Sequence, residues 1–148
     1  MLSKKAKYAI KALVKLAKEF KKGPILIGDI SEEERIPKKF LEAILLELKN
    51  AGILNSRKGK GGGYYLLKEP KDVHLINVIR LFDGPLALQP CVSQNYYEKC
   101  DECIDEEYCG IRSVIKELHT EVLRILGANT LAEIIDREDK LKAEKAKS

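Results

Sequence analysis

The sequence predicts a mainly α fold with one small β-hairpin, and three observations carry that prediction. Apolar residues recur every three or four positions in six separate segments, which is the periodicity of amphipathic helices. Two short β-type runs flank a basic, glycine-rich stretch, as the two strands of a hairpin do. With 148 residues and 45% hydrophobic content, the chain is large enough for one domain core plus an appendage.

The first three helices form a helix-turn-helix. Ser3 is placed to cap the first helix, which Gly23-Pro24 ends. A short second helix spans residues 29–34. Pro37 fits the first position of a third helix, where its missing N–H costs nothing. The buried face of this third helix comprises Leu41, Ile44, Leu45 and Leu48. A short helix, a tight turn and a longer helix make the helix-turn-helix pattern.

The hairpin that follows has the features of a wing. Its strands are predicted over residues 53–56 and 64–67, and the tip between them is Arg57-Lys58-Gly59-Lys60-Gly61-Gly62-Gly63. Glycines let the backbone approach a groove closely, and cationic side chains there enter an electronegative minor groove. A flexible surface loop is the alternative. The position directly after a helix-turn-helix favours a winged helix-turn-helix instead.

The distribution of charge also favours a nucleic-acid partner for the front half. Residues 1–71 hold 17 Lys and Arg against 8 Asp and Glu, a net charge of +9. Residues 72–148 hold 10 against 15, a net charge of −5. A basic half indicates a polyanionic partner. The chain has only two histidines, no arrangement typical of nucleophilic catalysis and no phosphate loop opening a helix, so we do not expect an enzyme.

The second half predicts a linker helix, a cysteine-rich loop and two further helices. The linker helix spans residues 75–82 and ends at Asp83-Gly84-Pro85. A long amphipathic helix carries Ile111, Val114, Ile115, Leu118, Val122 and Ile125. Thr130 and Glu133 form a capping box for the last helix. We therefore divide the chain into a DNA-binding domain (1–73), a segment with linker helix, cysteine loop and dimerisation helix (74–137), and a charged tail expected to be frayed (138–148).

All four cysteines of the chain lie in that loop: Cys91, Cys100, Cys103 and Cys109. Residues 91–109 also hold six carboxylates and one lysine, which indicates a polar loop. Thiols held this close favour an iron–sulfur cluster, a zinc ion or a disulfide. Only Cys100 and Cys103 have the Cys-x2-Cys spacing that zinc sites repeat. A cluster, a zinc site and a thiol/disulfide switch therefore all stay open at this point.

These segments resemble the IscR/NsrR family of bacterial winged-helix transcription regulators over roughly residues 1–137. The most specific match is the wing, with Ser56-Arg57, Gly59 and Gly61-Gly62-Gly63-Tyr64. Residues 2–9 and 40–52 match the family's opening and recognition helix. The stretches 78–79 and 83–86 match the segment before the cysteines.

The resemblance implies a homodimer that binds double-stranded DNA at a palindromic operator. The long helix would cross its twin, and each third helix would lie in the major groove of a half-site. The residues then expected to contact DNA fall in three groups: Pro37, Lys38, Lys39 and Phe40 at the start of the third helix, Arg57, Lys58 and Lys60 on the wing, and Lys7 and Tyr8 near the start of the first helix.

The resemblance also implies a cofactor, an iron–sulfur cluster of the 2Fe-2S or 4Fe-4S type. Cys91, Cys103 and Cys109 match the three cysteine ligands of the family, although eleven residues separate the first two. The family's histidine after the third cysteine is replaced by Arg112, and Cys100 is the expected fourth ligand. The expected function is a regulator that senses iron–sulfur, redox or nitric-oxide status, with zinc or a thiol switch as the alternative.

The remaining expectations concern the histidines and the location. His119 is expected at an interface or on the surface, and His74 in a structural role. No signal peptide and no apolar run long enough to cross a bilayer are evident. The sequence therefore predicts a cytoplasmic protein without a membrane partner.

Overall fold

The computed structural model describes residues 2–148 and has a helical architecture with one antiparallel two-stranded hairpin. The elements in chain order are α1 (Lys4–Lys18), α2 (Ile27–Glu34), α3 (Lys38–Asn50), β1 (Leu54–Arg57), β2 (Gly63–Leu66), α4 (Leu75–Asp83), α5 (Gly110–Ala128) and α6 (Leu131–Lys147). Within the described part of the chain, no helix is both long and apolar enough to cross a membrane. The mainly α fold class with a small hairpin is confirmed.

The helix-turn-helix forms because three amphipathic helices bury one shared face. The Ser3 hydroxyl caps α1 by accepting a hydrogen bond from the Ala6 amide at 3.0 Å. Arg35 adopts a left-handed conformation at φ 55°, which turns the chain between α2 and α3. Pro37 is the N-cap of α3 rather than its first residue, one position from our prediction. The fully buried side chains include Leu13, Leu16, Ile30, Leu41 and Leu45.

The glycines of the wing satisfy the hairpin's own geometry. A Cβ on Gly62 would lie 2.2 Å from the Arg57 carbonyl oxygen, so the tight turn needs glycine there. Gly63, at φ +139°, approaches Ile25 so closely that a Cβ would meet its carbonyl oxygen at 2.4 Å. The amides and carbonyls of Ile25 and Tyr64 exchange two hydrogen bonds of 2.8 Å. The wing is thus fixed to the segment before α2.

The C-terminal helix folds back onto the helix-turn-helix half. Leu131 is fully buried in the same hydrophobic core as the residues of α1 and α3. The Leu131 amide donates to the Val73 carbonyl at 3.0 Å, and the Leu75 amide donates to the Asn129 carbonyl at 2.9 Å. Residues from both halves therefore share one core. The division of the chain into domains at residue 73 stays a prediction.

The charged tail is the continuation of the last helix. α6 extends to Lys147, through the segment whose far end we expect to fray, and that fraying stays a prediction. Lys140 pairs with Asp136 one turn earlier at 2.9 Å, an i,i+4 contact that supports an exposed helix. The Lys18 ammonium of α1 also contacts the Glu138 carboxylate at 2.6 Å. Helix-favouring lysine, glutamate and alanine residues supply the remaining propensity.

Candidate nucleic-acid interface and cysteine groove

The start of α3 presents an exposed, basic and aromatic surface. Pro37, Lys38, Lys39 and Phe40 are all exposed, and Phe40 is 58% accessible to solvent. This follows from the pattern of α3, whose apolar face is directed into the core through Leu41 and the leucines after it. A large aromatic side chain left in solvent beside two lysines is a feature of a binding surface.

The beginning of α1 lies against this surface. The rings of Tyr8 and Phe40 meet edge to face, with centroids 6.4 Å apart and planes at 66°. That is a favoured aromatic geometry, so each ring holds the other in place. Lys7 is exposed next to Tyr8 on the same helix. The structure thus brings Tyr8 and Phe40, two predicted DNA-contact residues on different helices, into contact.

The wing adds three exposed cations. Arg57, Lys58 and Lys60 all face solvent, and the Arg57 guanidinium carbon lies 5.9 Å from the centroid of the Tyr65 ring. In the part of the chain that the structure describes, none of these three, nor Lys7, Lys38 or Lys39, pairs with a carboxylate. These six side chains therefore keep their full charge for an external anion.

Other lysines of α1 are partly neutralised. Lys5 pairs with Glu47, Lys15 with Glu33 and Lys18 with Glu138. The Glu33 carboxylate raises the pKa of the Lys15 ammonium through a hydrogen bond and its charge. The lysine-rich face of α1 is therefore not a uniform positive stripe. The predicted DNA-contact cations that lack a carboxylate partner among the described residues lie at the start of α3, on the wing and at Lys7 of α1.

The cysteine segment begins at a buried position. A 3₁₀ turn over Pro90–Val92 carries Cys91, which is only 4% exposed. The Cys91 thiol donates to the Gln89 side-chain oxygen at 3.7 Å. The Arg112 Nε donates to the Cys91 carbonyl oxygen at 3.3 Å. The first cysteine is thus tied to α5, although it lies 21 positions before Arg112 in the chain.

The other three cysteines line one groove. Cys100, Cys103 and Cys109 lie along a cavity of about 520 Å³ together with Gln89 and side chains of the acidic loop. The Cys103 amide donates to the Cys100 carbonyl at 3.1 Å, which forms a tight turn between these two cysteines. The groove is where the four-thiol segment closes against the start of α5.

Cys100 also reaches Cys91. Desolvation, the neighbouring Cys91 thiol and the negative charge of Glu102 raise the pKa of the Cys100 thiol above its ordinary value. The thiol is therefore protonated at neutral pH in this form. A metal bound there would displace that proton, because thiolate is the form that ligates metal.

Cys109 occupies the N-cap of α5. The Arg112 amide donates to the Cys109 sulfur at 3.4 Å. Among residues 2–148, however, no three His, Cys, Asp or Glu side chains are drawn together at metal-binding geometry. The four cysteine thiols are the type of ligand that a soft metal or an iron–sulfur cluster takes. In this structure they lie in one segment without surrounding a single point.

Sequence reasoning missed two features of this region. Gln89 borders the groove and accepts from Cys91, and no spacing or motif signalled it. His119 was expected at an interface or on the surface, but it is 8% exposed within a single subunit. On a helix of 3.6 residues per turn, His119 lies beside the apolar stripe, on the side that faces the cysteine segment. His74 is structural as expected, with its Nδ1 2.8 Å from the Gly127 carbonyl oxygen.

Comparison with known sequences points to one family. A model of the Rrf2 family, described as an iron-dependent transcriptional regulator, matches residues 2–137. An rrf2-like HTH-type transcriptional regulator of Rhodobacter capsulatus is 41% identical over 138 residues, covering 91% of this chain and 92% of the relative. IscR of Serratia proteamaculans is 28% identical over 140 residues, covering 95% and 82%. The family resemblance read from the wing motif is confirmed, and these relatives are regulators, not enzymes.

A solved structure supports the same fold. CymR, described as the global cysteine regulator of B. subtilis, superposes with a TM-score of 0.79 at 25% identity, over 93% of this chain and 97% of CymR. The likeness therefore extends beyond the helix-turn-helix to the cysteine segment and the C-terminal helices.

Proposed function

The chain belongs to the Rrf2 family and is a DNA-binding transcriptional regulator, and on that premise we propose that an iron–sulfur cluster in the cysteine groove controls its affinity for DNA. Through that cluster the protein senses iron–sulfur, redox or nitric-oxide status. The observation that carries the proposal is the grouping of four thiols in one segment, with three along one groove and the fourth, Cys91, bonded to Gln89 at the border of that groove.

The proposed ligands are Cys91, Cys100, Cys103 and Cys109. Cys91 and Cys109 are held at opposite ends of the segment, and Arg112 contacts both, through its amide to Cys109 and its side chain to Cys91. Cys100 and Cys103 lie on the acidic turn between them, where a small rearrangement brings their sulfurs inward. When bound, a cluster supplies a redox-sensitive and oxygen-sensitive group to this site.

The proposed assembly is a homodimer formed through α5. Ile111 is 68% exposed and Val114 is 65% exposed, and Leu118 and Ile125 continue the same face. Exposure of four large apolar side chains along one face of a 19-residue helix to water is unfavourable. In a dimer with a two-fold axis, the α5 stripes of the two copies pack against each other and are both buried. A two-fold protein then reads a palindromic operator, with one α3 in each half-site.

The proposed DNA contacts follow from the exposed surface. Lys38, Lys39 and Phe40, with Pro37 before them, lie at the start of α3, where base edges are reached in the major groove. Arg57, Lys58 and Lys60 on the wing meet the backbone or the minor groove. Lys7 and Tyr8 contact phosphate beside α3. The lack of carboxylate partners for the six cations, within the described residues, supports this assignment.

The path from cluster to DNA runs through α5 and α4. The groove is built on the first turn of α5, whose apolar stripe is the proposed dimer face. The Arg112 link to Cys91 joins that turn to the segment leaving α4. Asp83 at the end of α4 accepts two hydrogen bonds from Ser3 at the start of the DNA-binding half. Filling the groove therefore biases the angle between the two DNA-reading heads.

Zinc is the alternative occupant, favoured by one observation. Cys100 and Cys103 form a Cys-x2-Cys turn in which the Cys103 amide bonds to the Cys100 carbonyl. A thiol/disulfide switch is favoured by another, the interaction between the Cys91 and Cys100 thiols that helps to raise the pKa of Cys100. Both alternatives keep the same fold and DNA-binding surface.

The test compares DNA affinity with and without the cluster. A duplex is selected from a random library, once with the anaerobically reconstituted protein and once with the chelator-stripped protein. We expect the two forms to differ in affinity for one of these duplexes by about tenfold or more, within the usual range of allosteric coupling. Cys103→Ser, treated identically, is the matched control and responds to neither treatment. Equal affinity of both wild-type forms for every selected duplex would contradict the proposal.

A further inference from the structure

We propose that the protein carries a second ligand site, separate from the cysteine groove, in which His119 and Arg80 bind a small oxyanion. The site lies between the end of α4, the segment that follows Cys91, and the middle of α5. No cysteine lines it. The inference does not depend on which group the cysteines hold.

His119 is the first observation. Its side chain is 92% removed from solvent, being 8% exposed, and neither Nδ1 nor Nε2 has a hydrogen-bond partner in the part of the chain that the structure describes. Buried imidazole nitrogens are nearly always satisfied, so an unpaired ring is a destabilising feature that calls for a reason. His74, the other histidine, has its Nδ1 2.8 Å from the Gly127 carbonyl oxygen.

The cavity beside His119 is the second observation. It has a volume of about 110 Å³. For scale, an engineered apolar cavity of about 150 Å³ takes up benzene. The space beside His119 therefore suits a molecule of a few heavy atoms. Its polar lining is formed by Arg80, Ser93, Gln94, Asn95, Tyr96 and His119.

The charge of the lining selects an anion. The Arg80 guanidinium has no carboxylate partner among residues 2–148, and no Asp or Glu lines the cavity. On its other side His119 borders a second cavity that carries Lys116 and Arg124. Arg124 is paired with Glu121 at 2.8 Å, whereas Lys116 has no such partner within the described residues. A cation would be repelled here, and an oxyanion is attracted.

The donors also suit oxygen atoms of an anion. The planar guanidinium of Arg80 matches a carboxylate or another trigonal oxyanion with two parallel N–H donors. The Ser93 hydroxyl accepts from the Tyr96 amide at 3.1 Å, which leaves its own O–H free to donate. His119 offers a ring N–H, and Asn95 an amide N–H. All four groups are donors, and the bound species supplies the acceptors.

The test follows the two histidine rings by nuclear magnetic resonance in protein labelled at histidine. Acetate, nitrate and inorganic phosphate are titrated separately, with chloride used to hold ionic strength constant and with fixed pH. We expect at least one probe to move the His119 signals saturably, at millimolar affinity or tighter, while the His74 signals stay in place. The three probes separate a carboxylate source from an inorganic one.

Two arginine variants make the test specific. Arg80→Gln is expected to weaken binding by about tenfold or more, since it removes the charge-assisted pair. Arg137→Gln removes the same charge from an exposed position on α6 and is expected to bind as the wild type does. If Arg80→Gln fails to fold, Asn95→Ala replaces it. Absence of a saturable His119 shift with all three probes, or equal binding by the site variant and Arg137→Gln, would overturn the proposal.

Discussion

Ser3 donates two hydrogen bonds to Asp83, one from its amide nitrogen to Oδ2 at 3.0 Å and one from its hydroxyl to Oδ1. The same hydroxyl caps α1 by accepting from the Ala6 amide. The contact spans 80 positions of the chain and joins the N-cap residue of α1 to the last residue of α4. Gly84 and Pro85 come next and lead to the cysteine segment, so the proposed DNA-binding region and the cysteine segment meet at this carboxylate.

This contact predicts a pH dependence of stability. The hydrogen bonds from Ser3 lower the pKa of Asp83 below its ordinary value. A lowered folded-state pKa means that the carboxylate stabilises the fold above its unfolded pKa of about 3.9, and that this contribution is lost as pH falls through the folded value. We expect Asp83→Asn to reduce the free energy of unfolding at neutral pH and to have little effect in acid. Urea unfolding at several pH values measures this.

Two further variants control that measurement. Asp139→Asn changes an exposed carboxyl on α6 and is expected to leave the free energy of unfolding unchanged. Ser3→Ala is expected to lower the free energy of unfolding by about 1 kcal/mol through loss of the helix cap. Loss of the hydrogen bond from the Ser3 hydroxyl to Asp83 should lower it further. A penalty for Asp83→Asn that stays constant from neutral pH to strong acid would show that its charge is not involved.

The wing predicts a salt-dependent contribution to DNA affinity. Replacing Arg57, Lys58 and Lys60 together by alanine removes three exposed cations that lack carboxylate partners among the described residues. We expect weaker binding and a shallower slope of log K against log salt, by about one unit for each phosphate that is no longer neutralised. The matched control is the alanine triple variant of Lys140, Lys142 and Lys145 on α6, which removes equal charge elsewhere. If both triple variants lower the slope equally, the wing does not bind DNA specifically.

The exposed position of Phe40 predicts that its ring contributes to DNA affinity but little to the stability of the fold. Its ring is exposed and rests on Tyr8, so Phe40→Ala removes little buried surface. We expect a small change in melting temperature and a loss of operator affinity of about tenfold, or about 1.4 kcal/mol. Leu46→Ala, at a 56% exposed position on the same helix, is the control and should keep full affinity. Equal affinities of the two variants would remove Phe40 from the interface.

The exposed apolar stripe of α5 predicts that the protein is a homodimer. Val114→Glu places a charge on a side chain that is exposed in one subunit, so the subunit itself should fold normally. We expect this variant to sediment as a monomer at micromolar concentration and to lose specific DNA binding. Thr120→Glu adds the same charge on the other side of the helix and should stay dimeric. A monomeric wild type under these conditions would be inconsistent with the proposed dimer.

Local patterns predicted most of the elements because each depends on nearby residues. Ser3 caps α1 and the leucine face of α3 is buried as its spacing required. Thr130 is the N-cap of α6 as predicted, with its hydroxyl accepting from the Glu133 amide at 3.3 Å, which is one of the two bonds of the predicted capping box. The glycines of the wing were recognised, but two of them serve the hairpin's own backbone. That reason depends on the approach of Ile25, which no local pattern contains.

Long-range contacts account for what the sequence left open. The sequence predicted an interfacial or surface position for His119 and gave no sign that the cysteine segment would cover it. The bond between Ser3 and Asp83 and the link between Arg112 and Cys91 each join distant parts of the chain. For the candidate site, the sequence identified the four cysteines. It did not indicate that Cys100 would face Cys91 or that Gln89 would border the groove.

The most direct measurement is the content of iron, acid-labile sulfide and zinc per subunit after anaerobic reconstitution, in wild type and in the four single Cys→Ser variants. We predict iron and sulfide together in the wild type and their loss in Cys91→Ser, Cys103→Ser and Cys109→Ser. Cys100→Ser should hold a less stable cluster, with a carboxylate along the groove, such as Glu102, in place of the thiolate. Equal iron in Cys103→Ser and wild type, or one zinc per subunit without sulfide, would contradict the iron–sulfur account.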